Sequence, residues 1–521
     1  VAPLSLPAAG RIPYFVRTGI LLVGVFMFAT QLAAEVRRPA VAGSFYTADA
    51  ARLGTEVRRL LGTRPAGPAP RAVIAPHAGY VFSGATAGKS LAALQGAEVS
   101  RVVLLGPSHR ASFRGAALPE PRLTAFSTPL GMLPLDRAAL AALRERRLFD
   151  GPGHAHDGEH CLEVELPFLQ VALGEVSIVP ILVGQLTGRE DALTLARGLA
   201  SVVDERTVLV VSTDFTHHGR PYGHAPFPAD RRLPATLEDL ARATAERAAA
   251  MDARGFWHQV EVSGDTVCGV RPVTVLLELL AHAFEGSGEV VDVTTSAAAS
   301  GNLEQVVAYV GVSFAGRWTP WREPPPPPPL GVLDEEEQRA ALALARAALE
   351  TYLLNGPQLA RWFAAHPVAG NLAAVGGVFV TIHNTGARAV KQGRLRGCIG
   401  TIVGREPLVD AIIRAATSAA RDPRFPPLDR EELPQVSLEV SVLSPPTPVP
   451  GPEAIQLGRH GVILAKEGRT AVFLPQVASE TGWDRDTFLS QLARKAGLAA
   501  DAWRRGASFE VFTAQVFGEP E

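Results

Sequence analysis

Apolar residues fall along this chain in short unbroken runs, each stopped by a turn residue and followed by a side chain capable of chemistry. Val73-Ile74-Ala75 runs into Pro76 and His77. Val102 to Leu105 stops at Gly106-Pro107 and delivers Ser108 and His109, and Val208 to Val211 gives way to Ser212, Asp214, His217 and His218. Short aliphatic runs without alternation predict strands buried on both faces, as in a parallel sheet. Helical spacing at residues 85–94, 137–146, 192–203 and 237–252 separates them. The alternation predicts an α/β domain, a largely parallel sheet flanked by helices, from about residue 37 to 314. Further buried strands are expected at 176–183 and 290–294, with 305–314 closing the domain. In such sheets the loops leaving the carboxyl ends of the strands form the ligand crevice. Three strand ends carrying metal-capable or acid/base groups therefore point to one site.

The pattern changes at residue 323, where Glu323 precedes six prolines. Such a run favours a polyproline II rod, and at roughly 3.1 Å per residue it spans about 19 Å, enough to hold two domains apart. Beyond it, Asp334 to Glu337 suit a helix N-terminus and strong helix formers follow. Strands are expected at 378–383, 395–402, 436–443, 461–465 and 471–474, which makes the second domain α+β. The resulting layout is a leader at 1–34, a metal-binding domain at 35–318, a linker at 319–333 and a second domain at 334–521. In the leader, Arg11 and Arg17 precede an apolar run at 20–28, the layout of a signal peptide. The run is short for a membrane span, and cleavage after Ala34 leaves Leu32 where a small residue is preferred. Export, or anchoring on the periplasmic side, is the expectation; a mis-called start site would leave the protein cytoplasmic.

A chain of 521 residues exceeds one ordinary core. Its 47% hydrophobic and 20% charged residues mark a globular protein. A formal net charge of −2 gives nucleic-acid binding no electrostatic support. Cys161, Cys268 and Cys398 lie far apart with no CxxC, which excludes a disulfide scaffold or a zinc ribbon.

His77, His109 and Cys268 offer two imidazoles and a thiolate, a three-ligand set that leaves positions open for substrate. Soft donors of this kind suit iron(II), copper or zinc better than magnesium or calcium. Cys268 alone would read as a small buried hydrophobe; Asp265, Gly269 and Arg271 around it favour a functional loop. Asp214 and His217 suit orientation of a ligand or acid/base work, with capping of the next turn the structural alternative for Asp214. His218 reads as a neighbour. In residues 154–169, His154, His156 and Asp157 suit a mobile, solvated loop. The helical pattern from residue 161 would aim His160 and Glu163 at the site, His160 as a proton donor. GATAGKS at 84–90 has three residues between its glycines where a phosphate loop needs four. It follows what reads as an aromatic loop, Tyr80-Val81-Phe82, and is expected to be plain helix. Cys398 lies near Arg394 and Arg396, which can activate a thiol. No base lies nearby in the sequence, so Cys398 is expected to pack inward.

The motifs RPAVAGSFY, APHAGYVFSG, LLGPSH, EHCLEVELPFL, STDFTHHG and DTVCGVRP, in that order, resemble the Memo family. That family is similar in fold to class III extradiol dioxygenases, which use non-haem iron(II). The resemblance implies a metal held by His77, His109 and Cys268, with Asp214 and His217 in the same cleft. Cys161 stands where the family commonly has Ser. From about residue 335 to 517, LRGCIG, RDPRFPPL, HGVIL and FLPQVASETGWD resemble the AMMECR family. Together the halves resemble a fusion of two members of the AmmeMemoRadiSam group, whose third member, a radical S-adenosylmethionine protein, is implied as a partner. The expectation is a metal-dependent oxidoreductase acting on an unknown small molecule or peptide, with the second domain recognising substrate or partner. The competing expectation is a non-catalytic scaffold whose cleft binds a peptide.

Overall fold

A computed structural model describes residues 35–520, so the expected leader at 1–34 lies outside the described residues. No helix among the described residues is long and apolar enough to cross a membrane.

The first half is built from α1 (Ala50–Leu61), β1 (Ala72–Ala75), α2 (Tyr80–Leu91), β2 (Arg101–Pro107), β3 (Ser177–Val183), β4 (Thr207–Ser212), α3 (Ala253–Ser263), α4 (Val270–Ala283), β5 (Phe284–Thr295) and β6 (Val306–Trp318). The strands form one sheet in the order β5–β6–β1–β4–β2–β3. Ala116–Ala117 pairs outside β3, and His217–His218 pairs with β6. The four inner strands β1, β4, β2 and β3 run parallel and are almost wholly buried, as their unbroken apolar runs require. Ala75 lies opposite Ser212, and Leu105 opposite Val211. The carboxyl ends of β1, β4 and β2 therefore open side by side.

Residues 290–294 are not a buried strand. They belong to β5, a long edge strand antiparallel to β6 and half exposed along its length. Glu289 and Asp292 explain this, since Asp292 turns outward to Lys89 Nζ at 2.8 Å and Thr86 Oγ1 at 2.7 Å. Tyr80-Val81-Phe82 is not a loop either, because α2 begins at Tyr80. That start has no side-chain cap for a sequence reading to find; the free Tyr80 N–H is met by the distant carbonyl of Phe45 at 2.8 Å.

The glycines of GATAGKS serve helix packing. A Cβ at Gly88 would lie 2.2 Å from the Leu60 carbonyl oxygen of α1. Gly88→Ala is expected to lower stability by about 1–3 kcal/mol, read as a shifted urea midpoint. An unchanged midpoint would mean that the two helices are not in contact there.

The second half holds α5 (Glu335–Leu354), α6 (Gln358–Ala365) and two antiparallel four-stranded sheets. Helix α5 opens on a capping box between Asp334 and Glu337. The proline run is largely exposed, yet it does not hold the halves apart. Helix α3 packs on α5 and α6. Asn355 Nδ2 donates to the Ser263 carbonyl at 2.7 Å. Gln259 donates to Gly356 O at 3.0 Å and accepts from Ala360 N at 2.9 Å, and His258 Nε2 meets Asp410 Oδ1 at 2.7 Å. Complementary surfaces, not linker length, set the spacing.

Candidate metal centre

His77 follows β1 by two residues, with Pro76 between them. It is buried, its backbone N–H donates to Asp214 Oδ1 at 2.8 Å, and its Nδ1 lies 2.9 Å from Ser212 Oγ. His109 stands beyond β2, where Glu159 accepts both its backbone N–H at 2.7 Å and its Nδ1–H at 3.0 Å. In both imidazoles Nδ1 is engaged, which leaves Nε2 as the nitrogen with a free lone pair. Cys268 lies just before α4. Its Sγ accepts from Asp214 N at 3.2 Å and lies 3.3 Å from His77 Nε2. The donor atoms of His77, His109 and Cys268 all lie within 4.8 Å of one another. Two imidazoles and a thiol, each with its orientation fixed by a second group, fit a transition-metal ion.

Electrostatics agree with that fit. Burial, reinforced by His109, His160 and His217, pushes the His77 imidazole well below its ordinary pKa and keeps its lone pair available. Burial and the nearby Asp214 raise the Cys268 thiol to about 12. It is protonated at neutral pH, and a cation held there would displace the proton. Burial also raises Asp214, although His217 and the His77 N–H work against it.

A cleft of about 520 Å³ opens above these residues, lined by His77, His109, His160, Asp214, His217 and Tyr309 with Phe45, Phe82 and Tyr222 among its walls. Six of the seven residues that the sequence aimed at the site come together, five lining the cleft and Cys268 beside His77. The ring centroid of His160 lies 4.8 Å from that of His109 and 5.4 Å from that of His77. His217 is held by Thr266, whose Oγ1 accepts its backbone N–H at 2.7 Å and whose carbonyl meets its Nδ1 at 3.0 Å. The 265–268 loop is braced by Asp265, which accepts from Thr216 Oγ1 at 3.1 Å and Thr266 N at 2.7 Å.

Three expectations are corrected, and the capping alternative for Asp214 does not hold. Glu163 does not face the cleft: it is fully buried against Arg37 at 2.8 Å and also accepts from Ala40 N, Val41 N and Tyr46 Oη. Residues 154–157 are not a solvated loop throughout. His156 is buried, bonds the Ala117 carbonyl at 3.0 Å, and is pushed down to about 4 by burial. Asp214 caps no helix but receives the His77 N–H. Cys398 does not join the domain core. It pairs with Thr381, which alternates with the core residues Val380 and Ile382, so it stands on the sheet's other face and accepts from Thr381 Oγ1 at 3.3 Å. Arg396 is committed to Glu432 at 2.9 Å.

Glu159 is the residue that sequence reasoning passed over. It is 2% exposed and carries His109, His160 and Cys161 on one carboxylate: besides the two bonds to His109, it accepts from His160 N at 2.9 Å and Cys161 N at 3.2 Å and meets His160 Nδ1 at 3.1 Å. Burial favours its neutral form, but the hydrogen bonds from His109 and His160 win and hold it well below the usual carboxylate range. Its only sequence signal was proximity to His160.

Comparison with known proteins divides the chain in the same way. A family model described as Memo-like protein matches residues 37–313, and one described as AMMECR1 matches residues 342–517. A protein of Methanopyrus kandleri is 42% identical over 195 residues, covering 36% of this chain and 90% of that protein. One of Thermococcus gammatolerans is 44% identical over 183 residues, covering 34% and 87%. The crystal structure of a Pyrococcus horikoshii protein, titled uncharacterized, is 36% identical with a TM-score of 0.31, covering 36% of this chain and 93% of that one.

Proposed function

We propose, for a chain that belongs to the Memo-like family over residues 37–313 and carries an AMMECR1 domain over residues 342–517, that the N-terminal half holds one redox-capable metal ion through His77, His109 and Cys268. The convergence of their donor atoms within 4.8 Å supports this reading most. Iron(II) is the first choice, with copper and zinc after it, because imidazole and thiolate donors favour these ions. Bound there, iron(II) or copper would supply one-electron chemistry with dioxygen. The chain's own residues do the rest. His160, tied to Glu159 through Nδ1, presents Nε2 to the cleft, where it would act as a proton donor once it has itself taken up a proton. Asp214 and His217, also in the cleft wall, take up and return protons. Phe45, Phe82 and Tyr222 cover an apolar part of a small substrate. The AMMECR1 domain recognises a substrate or a partner, such as a radical S-adenosylmethionine protein, and residues 1–34 direct the protein to export or a membrane anchor.

Iron-loaded protein is expected to take up oxygen when offered members of a panel of catechols and small thiols, and His160→Ala to slow that uptake about a hundredfold. If no compound raises uptake above the metal-free control, while peptide binding survives loss of both His77 and His109, the cleft is a scaffold surface instead.

A further inference from the structure

Three glutamates of one short segment, Glu159, Glu163 and Glu165, are buried, and each meets a different need. Glu159 carries two imidazoles and Glu163 takes Arg37, but Glu165 has no cation. It is fully buried, its Oε1 lies 3.0 Å from Ser212 Oγ, and its Oε2 has no hydrogen-bond partner. We propose that Glu165 is held as the neutral acid and acts as a positioning residue, fixing through Ser212 which nitrogen of His77 faces the metal. This inference rests on the reading of His77 as a ligand.

Counting protons carries it. A serine hydroxyl has one hydrogen to give and two lone pairs to fill. Ser212 Oγ has three close partners: the Cys161 carbonyl at 2.7 Å, His77 Nδ1 at 2.9 Å and Glu165 Oε1 at 3.0 Å. The carbonyl can only accept, so it takes the hydroxyl hydrogen. The other two contacts need protons supplied by the partners, one from His77 Nδ1–H and one from Glu165 O–H. An ionised Glu165 would compete for the single hydroxyl hydrogen and leave either the carbonyl or the carboxylate without it. That loss falls in a fully buried place, where an unpaired charge is costly. The charged groups around it offer no relief. Asp214 is itself an acid, and Tyr80 spends its hydroxyl on the Val164 carbonyl at 2.8 Å. Burial, aided by Asp214, outweighs the bond that an ionised Glu165 would take from Ser212 and raises Glu165 to about 8. With Nδ1 holding the proton, His77 Nε2 is left with its lone pair 3.3 Å from Cys268 Sγ. The ligating tautomer is thus set before any metal arrives.

The test joins infrared spectroscopy of the full-length, metal-free protein with titration by ferrous iron alone. The parent at pH 7 is expected to show a protonated-carboxyl carbonyl band that is absent from Glu165→Gln. The amide of Glu165→Gln still donates to Ser212, so iron affinity should stay within about threefold of the parent, while Glu165→Leu and Ser212→Ala lose about 10- to 100-fold. A missing band in the parent, or Glu165→Gln binding as poorly as Glu165→Leu, would overturn the proposal. Should the parent bind no iron, the metal reading fails by itself. The band, with the His77 tautomer read by nitrogen-15 resonance, then still decides this inference: Nδ1–H supports it and Nε2–H overturns it.

Discussion

Glu159→Ala is expected to weaken metal binding about 10- to 100-fold, the usual effect of removing a group that orients a ligand histidine. It should also lower folding stability by roughly 3 kcal/mol. Both effects have one cause. The carboxylate accepts three backbone N–H groups, of His109, His160 and Cys161, together with Nδ1 of both imidazoles. Without it His109 is free to rotate and to exchange tautomers, and its Nε2 no longer has a fixed direction. Glu159→Gln should fall between parent and alanine, because one face of the amide presents an N–H to donors that need an acceptor. Chelator competition measures the first effect and urea unfolding the second. Parent-like affinity in Glu159→Ala would mean that His109 is not a ligand, or that its orientation does not depend on Glu159.

Arg37→Leu should cost about 3–5 kcal/mol, because it leaves the fully buried Glu163 carboxylate without its cation. The guanidinium also donates to the carbonyls of His156, at 2.9 Å, and of Glu159, and lies 5.0 Å from the Phe126 ring centroid. It thereby joins the short strand Glu35–Arg37 to the segment that carries Glu159. The urea midpoint reads the loss. A double variant, Arg37→Leu with Glu163→Gln, removes the stranded charge and should recover part of it, since a pair removed together costs less than one broken. A single variant within about 1 kcal/mol of the parent would show that water reaches Glu163.

The sequence made the parallel strands and four of the cleft residues, His77, His109, Asp214 and His217, legible for one reason. An unbroken apolar run can be satisfied only by burial on both sides, and Val102 to Leu105 has no other home. Once three such runs are parallel neighbours, the residues just past them must meet. Loop and turn geometry was not legible in the same way. Residues 159–165 pass through a turn and a short 3₁₀ helix, so no single helical face holds both His160 and Glu163. Spacing alone could not say which of the three glutamates would reach the imidazoles. The docking of the two halves was hidden too, because His258, Gln259 and Asn355 are ordinary polar surface residues until a second surface meets them.

Metal content decides the His77–His109–Cys268 site. The chain should be purified without oxygen beside His109→Ala and Cys268→Ser, and all three analysed for iron, copper and zinc. Near-stoichiometric iron, or copper in its place, in the parent and its loss from both variants is the predicted result. A parent that stays empty after reconstitution with each ion would contradict it, and the cleft would then be a binding surface without a metal.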